Sequence, residues 1–344
     1  MKKAAVIINI ACVLLFGILS IILAVRARSL PEQEAHTRWN SADVPYAQVS
    51  VFYQSGISID ECYQMTFDIG DKVKSKVRDI RGESVAACYC TAPKRLTFSS
   101  KSDIGAKTAE LESYFTDGDF LLFHPYELLY GTFLNSDAIM HDNAVIDENA
   151  AWQLFGSSDV VGEYIFYGET AVYICGVVKI PDTDSAYIFL DKELSPLITG
   201  DPALFQVYEI VLPSEVPGDG LSVIKEKLGI TDGDMNSSRT VRVVENSNRS
   251  SVLNLLNTLA NIPNLSVRDD AIILPSWENK ARQRDITSAM MLSSIIYVVS
   301  VFTVTNIIVL IVLFTKRKIF YKYINEKFLF PQYEKLKGEN QHEI

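Results

Sequence analysis

Motifs that carry catalytic chemistry are scarce in this 344-residue chain. None of its four histidines stands in an HExxH pattern, and the sequence lacks the GxSxG and GxxxxGK[ST] patterns of serine hydrolases and phosphate-binding loops. The 32 basic residues are outnumbered by 42 acidic ones, and this net charge of −10 argues against a nucleic-acid-binding face. We therefore expect a protein that is not an enzyme, with no catalytic, cofactor-binding or metal site and no nucleic-acid partner.

Cysteine is also infrequent. The chain has five cysteines, and none stands at a spacing typical of zinc ligands: Cys12, Cys62, Cys88, Cys90 and Cys175. Cys88 and Cys90 are two residues apart in a strand-like stretch, so we expect both side chains on one face of a sheet. Two interpretations stay open, either buried small hydrophobic residues or a disulfide that uses two of the four cysteines after Cys12.

Uncharged hydrophobic runs occur at two places, residues 4–25 and residues 289–314. At about 1.5 Å per helical residue, each run is long enough to cross a hydrocarbon core of roughly 30 Å. The first run could instead be a cleaved signal peptide, but it is long for one, and Arg26 and Arg28 follow where small neutral residues are expected. We predict two transmembrane helices over these residues, the first of them an uncleaved anchor.

Charge predicts the orientation. Residues 1–3 carry two lysines, and residues 315–344 carry seven basic and four acidic side chains, beginning with Lys316-Arg317-Lys318. Residues 26–288 carry a net charge of −15. Because basic residues next to a span stay on the cytoplasmic side, we predict a cell-membrane protein with both termini in the cytoplasm and an extracytoplasmic domain over 26–288.

The extracytoplasmic segment has an α+β pattern. A strand, a helix with a capping box at Ser58 and Glu61, and a second strand come first, and a similar strand–helix–strand order recurs from Phe205. Between them lie several alternating stretches, with a turn at Tyr167-Gly168-Glu169 joining two strands. We predict a β-α-β lobe with a strand-rich lobe inserted over about 103–200, followed by a helical stalk over about 276–288 that can run unbroken into the second span.

The spans carry small and polar residues that can pack helices together: Gly17, Ser20, Ala24, Ser300, Thr303 and Asn306. Ser20 and Ala24 form a small-xxx-small pair, and Ser300, Thr303 and Asn306 recur every three residues on one helix flank. Asn306 is costly to expose to lipid and usually finds a partner on another helix. The alternative is that the serine and threonine hydroxyls bond only to their own backbone.

The tail over 315–344 interleaves aromatic residues with lysines. Such a segment could lie in the lipid headgroup region as a short amphipathic element, or it could bind a cytoplasmic partner.

The stretch from Gly131 to Lys179 has an opening glycine and aromatic residue, an LFG helix end and three spaced glycines: Gly131, Phe133, Ala151, Leu154, Phe155, Gly156, Gly162, Gly168 and Gly176. In this pattern it resembles the extracytoplasmic core domain of MacB-like and FtsX-like ABC transporter permeases. The resemblance implies a porter-like lobe with a second lobe inserted in it. It also implies a structural rather than catalytic role for these residues, with Gly156 ending a helix and Gly168 in a hairpin turn.

The sequence departs from that family after the second span, since two further spans and the cytoplasmic coupling signature are not present. We therefore expect a non-catalytic, permease-like membrane subunit that relays conformational change to an external domain that binds a substrate or partner. Its expected partners are a separate ABC permease half and ATPase subunit, or a second copy of the chain. The alternative is a stand-alone, membrane-anchored extracellular binding or sensor protein.

Overall fold

The computed structural model describes residues 2–26, 30–39, 44–76, 85–101, 106–135, 140–181, 183–230, 241–265 and 272–324. They belong to two compact units. Unit 1 combines Met1–Arg28 with Ile286–Ile344, and unit 2 is Ser29–Asp285. The tail beyond Ile324, for which the sequence offers two interpretations, lies outside the described residues.

Helices and strands are mixed along the chain, as the α+β prediction requires. The helices are α1 Lys2–Arg26, α2 Ala35–Trp39, α3 Ile59–Lys76, α4 Phe120–Phe123, α5 Glu148–Leu154, α6 Ser195–Thr199, α7 Asp219–Leu228, α8 Val252–Leu265 and α9 Ser276–Ile324. The strands are β1 Tyr46–Ile57, β2 Ala86–Cys90, β3 Lys94–Ser99, β4 Thr108–Gly118, β5 Glu127–Gly131, β6 Asn143–Asp147, β7 Tyr164–Tyr167, β8 Thr170–Lys179, β9 Tyr187–Asp191, β10 Phe205–Pro213 and β11 Val241–Glu245.

Four antiparallel strands form the first part of the sheet of unit 2, in the order β11-β1-β10-β2. Helix α3 connects β1 to β2, and helix α7 connects β10 to β11, so each connection passes over one intervening strand. This is a split β-α-β arrangement. Its two halves are separated in sequence by the strands β3 to β9.

Those intervening strands close on themselves. The pairings run β4-β3-β7-β8-β6-β9, and β9 returns to pair with β4 in parallel. We call these six strands the strand ring; β5 is paired to it along β8. Buried aliphatic side chains from the ring and from α5, including Ile146, Ile165 and Val177, pack into one hydrophobic cluster. The ring is thus a second β-rich core inserted between the halves of the first.

Neighbouring side chains of a strand point to opposite sides of a sheet. In the four-stranded part, the side chains on both faces are buried. On one face, Val49 and Val51 pack with Cys62 and Ile69 of α3 and with Val223 of α7. On the other face, Phe52, Cys88 and Cys90 pack in a cluster with Trp277 of α9. The beginning of α9 therefore belongs to the core of unit 2.

Several local predictions are confirmed by the structure. Ser58 and Glu61 form the capping box of α3, since the Ser58 backbone N–H donates to Glu61 Oε2 at 2.7 Å and the Glu61 N–H donates to Ser58 Oγ at 3.3 Å. Strands β7 and β8 meet at Tyr167 and Thr170. Helix α9 runs unbroken from Ser276.

Other features were not predicted. The stretch of β3, KRLTFS, begins with two charged residues, and β5 begins two residues after Pro125, so neither strand has a clear sequence signal. All five cysteines lie in the described part of the chain, and each is a free thiol. Cys12, Cys62, Cys88 and Cys90 are buried, as the first of the two interpretations expects, whereas Cys175 is half-buried. Cys88 and Cys90 do share a face.

Two of the described helices are long and apolar enough to cross a membrane, over Val6–Val25 and within Ser276–Ile324. The coarse fold class, helices mixed with a large sheet and two apolar helices, is therefore confirmed. The predicted domain boundaries and membrane topology stay predictions.

Candidate functional site

Helix α9 is fixed to the core of unit 2 by a buried arginine. Arg249, in the loop between β11 and α8, forms two parallel hydrogen bonds to Glu278, Nη1 to Oε2 at 2.7 Å and Nη2 to Oε1 at 2.9 Å. Its Nε donates to Asp285 Oδ2 at 2.9 Å. Such a planar, two-point contact fixes both position and orientation. We call Arg249, Glu278 and Asp285 the arginine clamp.

The clamp is shielded from solvent, and this affects its charges. The side chains of Arg249 and Glu278 are 8% and 4% exposed. Although burial alone opposes the charge, Glu278 and then Asp285 hold the pKa of Arg249 above its ordinary value. Burial raises the pKa of Asp285, and Arg249 opposes that change. The positive charge of the Arg249 guanidinium therefore compensates the two carboxylates, Glu278 and Asp285, in the first turns of α9.

A chain of buried polar contacts leads from the clamp into the sheet. Arg249 Nη1 also donates to Asn246 Oδ1 at 3.0 Å, and Asn246 Nδ2 donates to Ser50 Oγ at 2.8 Å. Ser50 Oγ then donates to Glu209 Oε1 at 2.8 Å. Ser50 and Glu209 are 0% and 2% exposed. Buried networks of this kind stabilise one arrangement because each unmade bond is costly. The beginning of α9 and the centre of the sheet are thus held in one register.

Three side chains that could ligate a metal meet at the far end of this network: Cys88, His124 and Glu209. Burial, reinforced by the Glu209 carboxylate, raises the pKa of the Cys88 thiol well above its ordinary value. The imidazole of His124 packs against Trp277 of α9, with ring centroids 4.5 Å apart. Sequence analysis misses this cluster because its members come from three distant segments with no shared motif.

Unit 1 contains a polar pair between its two apolar helices. Asn9 Nδ2 of α1 donates to Asn306 Oδ1 of α9 at 3.1 Å, and Asn306 Nδ2 donates back to Asn9 Oδ1 at 3.3 Å. Asn306 was named from the sequence, but Asn9 was not. The signal that could have identified Asn9 is its amide in an otherwise apolar run, since such a group needs a partner.

The other residues named for helix packing are not brought to this pair. Ser300 Oγ and Thr303 Oγ1 each donate at 2.8 Å to the carbonyl four residues earlier in α9, which was the alternative interpretation. Ser300, Thr303 and Ala24 are exposed, whereas Ser20 and Gly17 are half-buried. A Cβ added to Gly17 would meet no atom within 4 Å. A packing role for these residues stays a prediction.

The glycines of the sequence motif lie in the strand ring or beside it. Gly131 of β5 and Gly176 of β8 are directly opposite each other. A Cβ on Gly176 would clash with the Thr132 carbonyl oxygen, and a Cβ on Gly131 with that of Cys175. Leu154 is buried, and Phe133 and Phe155 pack at the edges of the two adjoining clusters. Gly156, Gly162 and Gly168 have positive φ values.

The comparisons with known proteins find similarity at the level of structure alone. No protein-family model matches the chain, and no curated protein matches its sequence. The extracellular domain of the noncanonic ABC-type transporter YknZ from Gram-positive bacteria is 14% identical, over 57% of this chain and 99% of that one, with a TM-score of 0.37. The periplasmic region of MacB from Actinobacillus actinomycetemcomitans is 12% identical, over 60% and 92%, with a TM-score of 0.40.

A domain described as part of a permease protein from Porphyromonas gingivalis is 15% identical, over 61% of this chain and 95% of that one, with a TM-score of 0.36. These solved structures are domains of transporters or permeases by their own descriptions. At such identities and TM-scores they assign this chain to no family. Its function has to be inferred from its own residues.

Proposed function

We propose that the chain is a non-catalytic membrane subunit associated with an ABC transporter. Its two apolar helices anchor it in the cell membrane, with both termini in the cytoplasm and unit 2 outside. Unit 2 binds a substrate or a partner protein, and α9 relays conformational change between this unit and the membrane. The partners are a separate permease half with its ATPase, or a second copy of the chain.

The observation that carries the proposal is the construction of α9. Its first turns are held in the core of unit 2 by the arginine clamp, and the same helix continues without a break into an apolar segment paired to α1 through Asn9 and Asn306. A continuous helix is a rigid element, so a displacement imposed at one end is transmitted to the other. A flexible anchor would require neither the clamp nor the continuity.

The order of segments supports the transporter context. The chain begins with an apolar helix. A split β-α-β sheet with an inserted strand ring comes next, and then a helix that leads into a second apolar segment. This is the order implied by the resemblance to MacB-like and FtsX-like permeases. The opposed glycines Gly131 and Gly176 come from the same motif, and their close contact gives that motif a structural reason.

Copurification tests the proposal. The full chain, tagged and extracted from its native membrane in mild detergent, is expected to retain a protein with ABC ATPase motifs in a fixed ratio. The matched control is a tagged, unrelated two-span protein from the same membrane. A monomer that retains neither an ATPase, a permease nor a second copy of itself would contradict the proposal.

A further inference from the structure

The three buried ligand-type side chains in unit 2 lie close enough to share one ion. Cys88 of β2 is opposite Glu209 of β10 in the sheet register, and His124 directly follows α4. Glu209 Oε2 lies 3.0 Å from His124 Nε2 and 3.9 Å from Cys88 Sγ. The ligand atoms all lie within 4.8 Å of one another. These side chains are 1%, 0% and 2% exposed, so the cluster is sealed from solvent.

The imidazole of His124 has hydrogen-bonding capacity that the described residues leave unused. Neither Nδ1 nor Nε2 makes a hydrogen bond of acceptable geometry, although Nε2 lies only 3.0 Å from the carboxylate. An unpaired buried polar group lowers the stability of a fold. Two atoms that lie side by side, rather than along a donor–acceptor line, are arranged as two ligands of one ion would be.

Glu209 is held in place from behind, as metal-binding carboxylates commonly are. Its Oε1 accepts from Ser50 Oγ, which in turn accepts from Asn246 Nδ2. Only Oε2 faces His124 and Cys88. A buried carboxylate needs a compensating positive charge, because desolvation of an isolated anion is expensive. A divalent ion supplies that charge, and a thiolate with the carboxylate makes the site neutral overall.

We propose that Cys88, His124 and Glu209 supply the three protein ligands of a buried zinc site, with a water molecule as the fourth ligand. A thiolate and an imidazole favour Zn²⁺ over Mg²⁺ or Ca²⁺, which prefer oxygen ligands. Zinc bonds of about 2.0 Å to nitrogen or oxygen and about 2.3 Å to sulfur, in tetrahedral geometry, place neighbouring ligand atoms of a site with one sulfur roughly 3.3–3.5 Å apart. Glu209 Oε2 lies 3.0 Å from His124 Nε2 and 3.9 Å from Cys88 Sγ, and all three ligand atoms lie within 4.8 Å of one another, so binding requires the side chains to adjust by some tenths of an ångström or more. Its burial gives the ion a stabilising role, independent of the proposed transporter function.

The competing arrangement is a protonated His124 paired with Glu209. Both arrangements use the histidine and the carboxylate, but only the zinc site needs the sulfur of Cys88. Cys90 supplies a matched control, since it lies on the same strand and the same face and is equally buried, at 1% exposure, but it is not part of the ligand group.

The experiment measures metal bound to the full chain, purified in detergent without chelators. We expect about one zinc per chain by mass spectrometry of the metal. From cells grown with cobalt in place of zinc, we expect the near-ultraviolet thiolate-to-cobalt absorption band. Cys88→Ser is expected to lower bound zinc at least tenfold and abolish the cobalt band, whereas Cys90→Ser retains both.

Wild-type protein that contains neither zinc nor cobalt would overturn the proposal, and so would a Cys88→Ser variant that keeps its metal. The wild-type measurement decides the question even where Cys88→Ser does not fold. A copurified ATPase has no bearing on it, so failure here and failure of the proposed function are distinguishable.

Discussion

Asn9 and Asn306 exchange two hydrogen bonds, and this pair joins the two apolar helices of unit 1. Asn306 Nδ2 also donates to the Phe302 carbonyl oxygen of its own helix at 2.8 Å, so the pair links the two helices in addition to that backbone contact. Polar contacts between membrane helices contribute about 0.6–2 kcal/mol. The pair therefore fixes the register of α1 against α9 more than it determines total stability.

A double-mutant cycle measures this pair. Asn9→Leu and Asn306→Leu are each expected to lower the unfolding midpoint in detergent, and the double variant to lower it by less than the sum, because either change alone removes the partner of the remaining amide on the other helix. The coupling energy is expected at about 1 kcal/mol. Ser300→Ala is the control, since Ser300 bonds only within α9. Strictly additive effects would show that the two amides do not interact.

The arginine clamp is expected to be the most sensitive ionic contact of unit 2. Arg249→Met leaves Glu278 and Asp285 without their shared cation, and loss of one partner from a buried pair costs about 3–5 kcal/mol. Glu226→Gln is the matched control, because Glu226 is 67% exposed in its pair with Lys72 and pairs at the surface contribute about 0–1 kcal/mol. Thermal unfolding of the full chain checks both. Equal effects of the two substitutions would contradict the role of the clamp.

The opposed glycines give a prediction for the strand ring. Gly176→Ala places a methyl group against the Thr132 carbonyl oxygen, so β5 and β8 must separate. We expect a loss above about 3 kcal/mol, or failure to fold. A Cβ at Gly162 meets open space, and Gly162→Ala costs only the strain of its positive φ, about 1–2 kcal/mol. Indistinguishable unfolding midpoints for the two variants would count against this packing.

Asp147 gives unit 2 a defined pH dependence. It caps α5 by accepting from the Ala150 N–H and also accepts from the Tyr187 N–H, at 2.9 and 2.8 Å. Burial nevertheless raises its pKa to about 6, which exceeds the ordinary value of 3.8. Because the folded state holds the proton more tightly, this group stabilises most below pH 4, and its contribution is lost as the pH rises through 6.

Asp147→Asn keeps the accepting oxygen but removes the titration. Between pH 4 and 6, the unfolding midpoint of the variant is expected to lack the pH-dependent stabilisation that protonated Asp147 gives the wild type. Above pH 7, the unfolding midpoint of the variant is expected to equal or exceed that of the wild type. The difference amounts to at most about 3 kcal/mol. Midpoints measured from pH 4 to 8 check this. A variant with the same pH profile as the wild type would show that Asp147 titrates normally.

Local signals predicted much of the fold because they act over a few residues. The Ser58–Glu61 capping box marked the start of α3. The uncharged run that begins at Ala289 marked the second apolar segment of the chain, which lies within α9. The strand β3 was missed because its alternation is interrupted by Lys94 and Arg95. Closure of the strand ring by β4 and β9 was also beyond reach, since pairing between distant strands leaves no local pattern.

The candidate sites also combine residues that a local sequence signal marks with residues that only the fold brings together. Asn306 was identified because an amide stands out in an apolar run, but its partner depends on how two helices pack. Arg249 and Glu278 read as ordinary charged residues until the fold buries them together. Cys88, His124 and Glu209 likewise acquire meaning only through the register of β2 and β10 and the position of α4.

The proposed relay through α9 is tested most directly by hydrogen exchange on the chain copurified with its proposed ATPase partner, with and without ATP. ATP is expected to change exchange in the loop that holds Arg249 and in the first turns of α9. Three glycines inserted after Ile286 are expected to abolish this response while the complex stays intact. The same glycines inserted after Glu215, an exposed loop position, are expected to leave it unchanged. Exchange that does not change with ATP in the wild type, or a response to ATP that persists in the α9 insertion variant, would contradict the proposed relay.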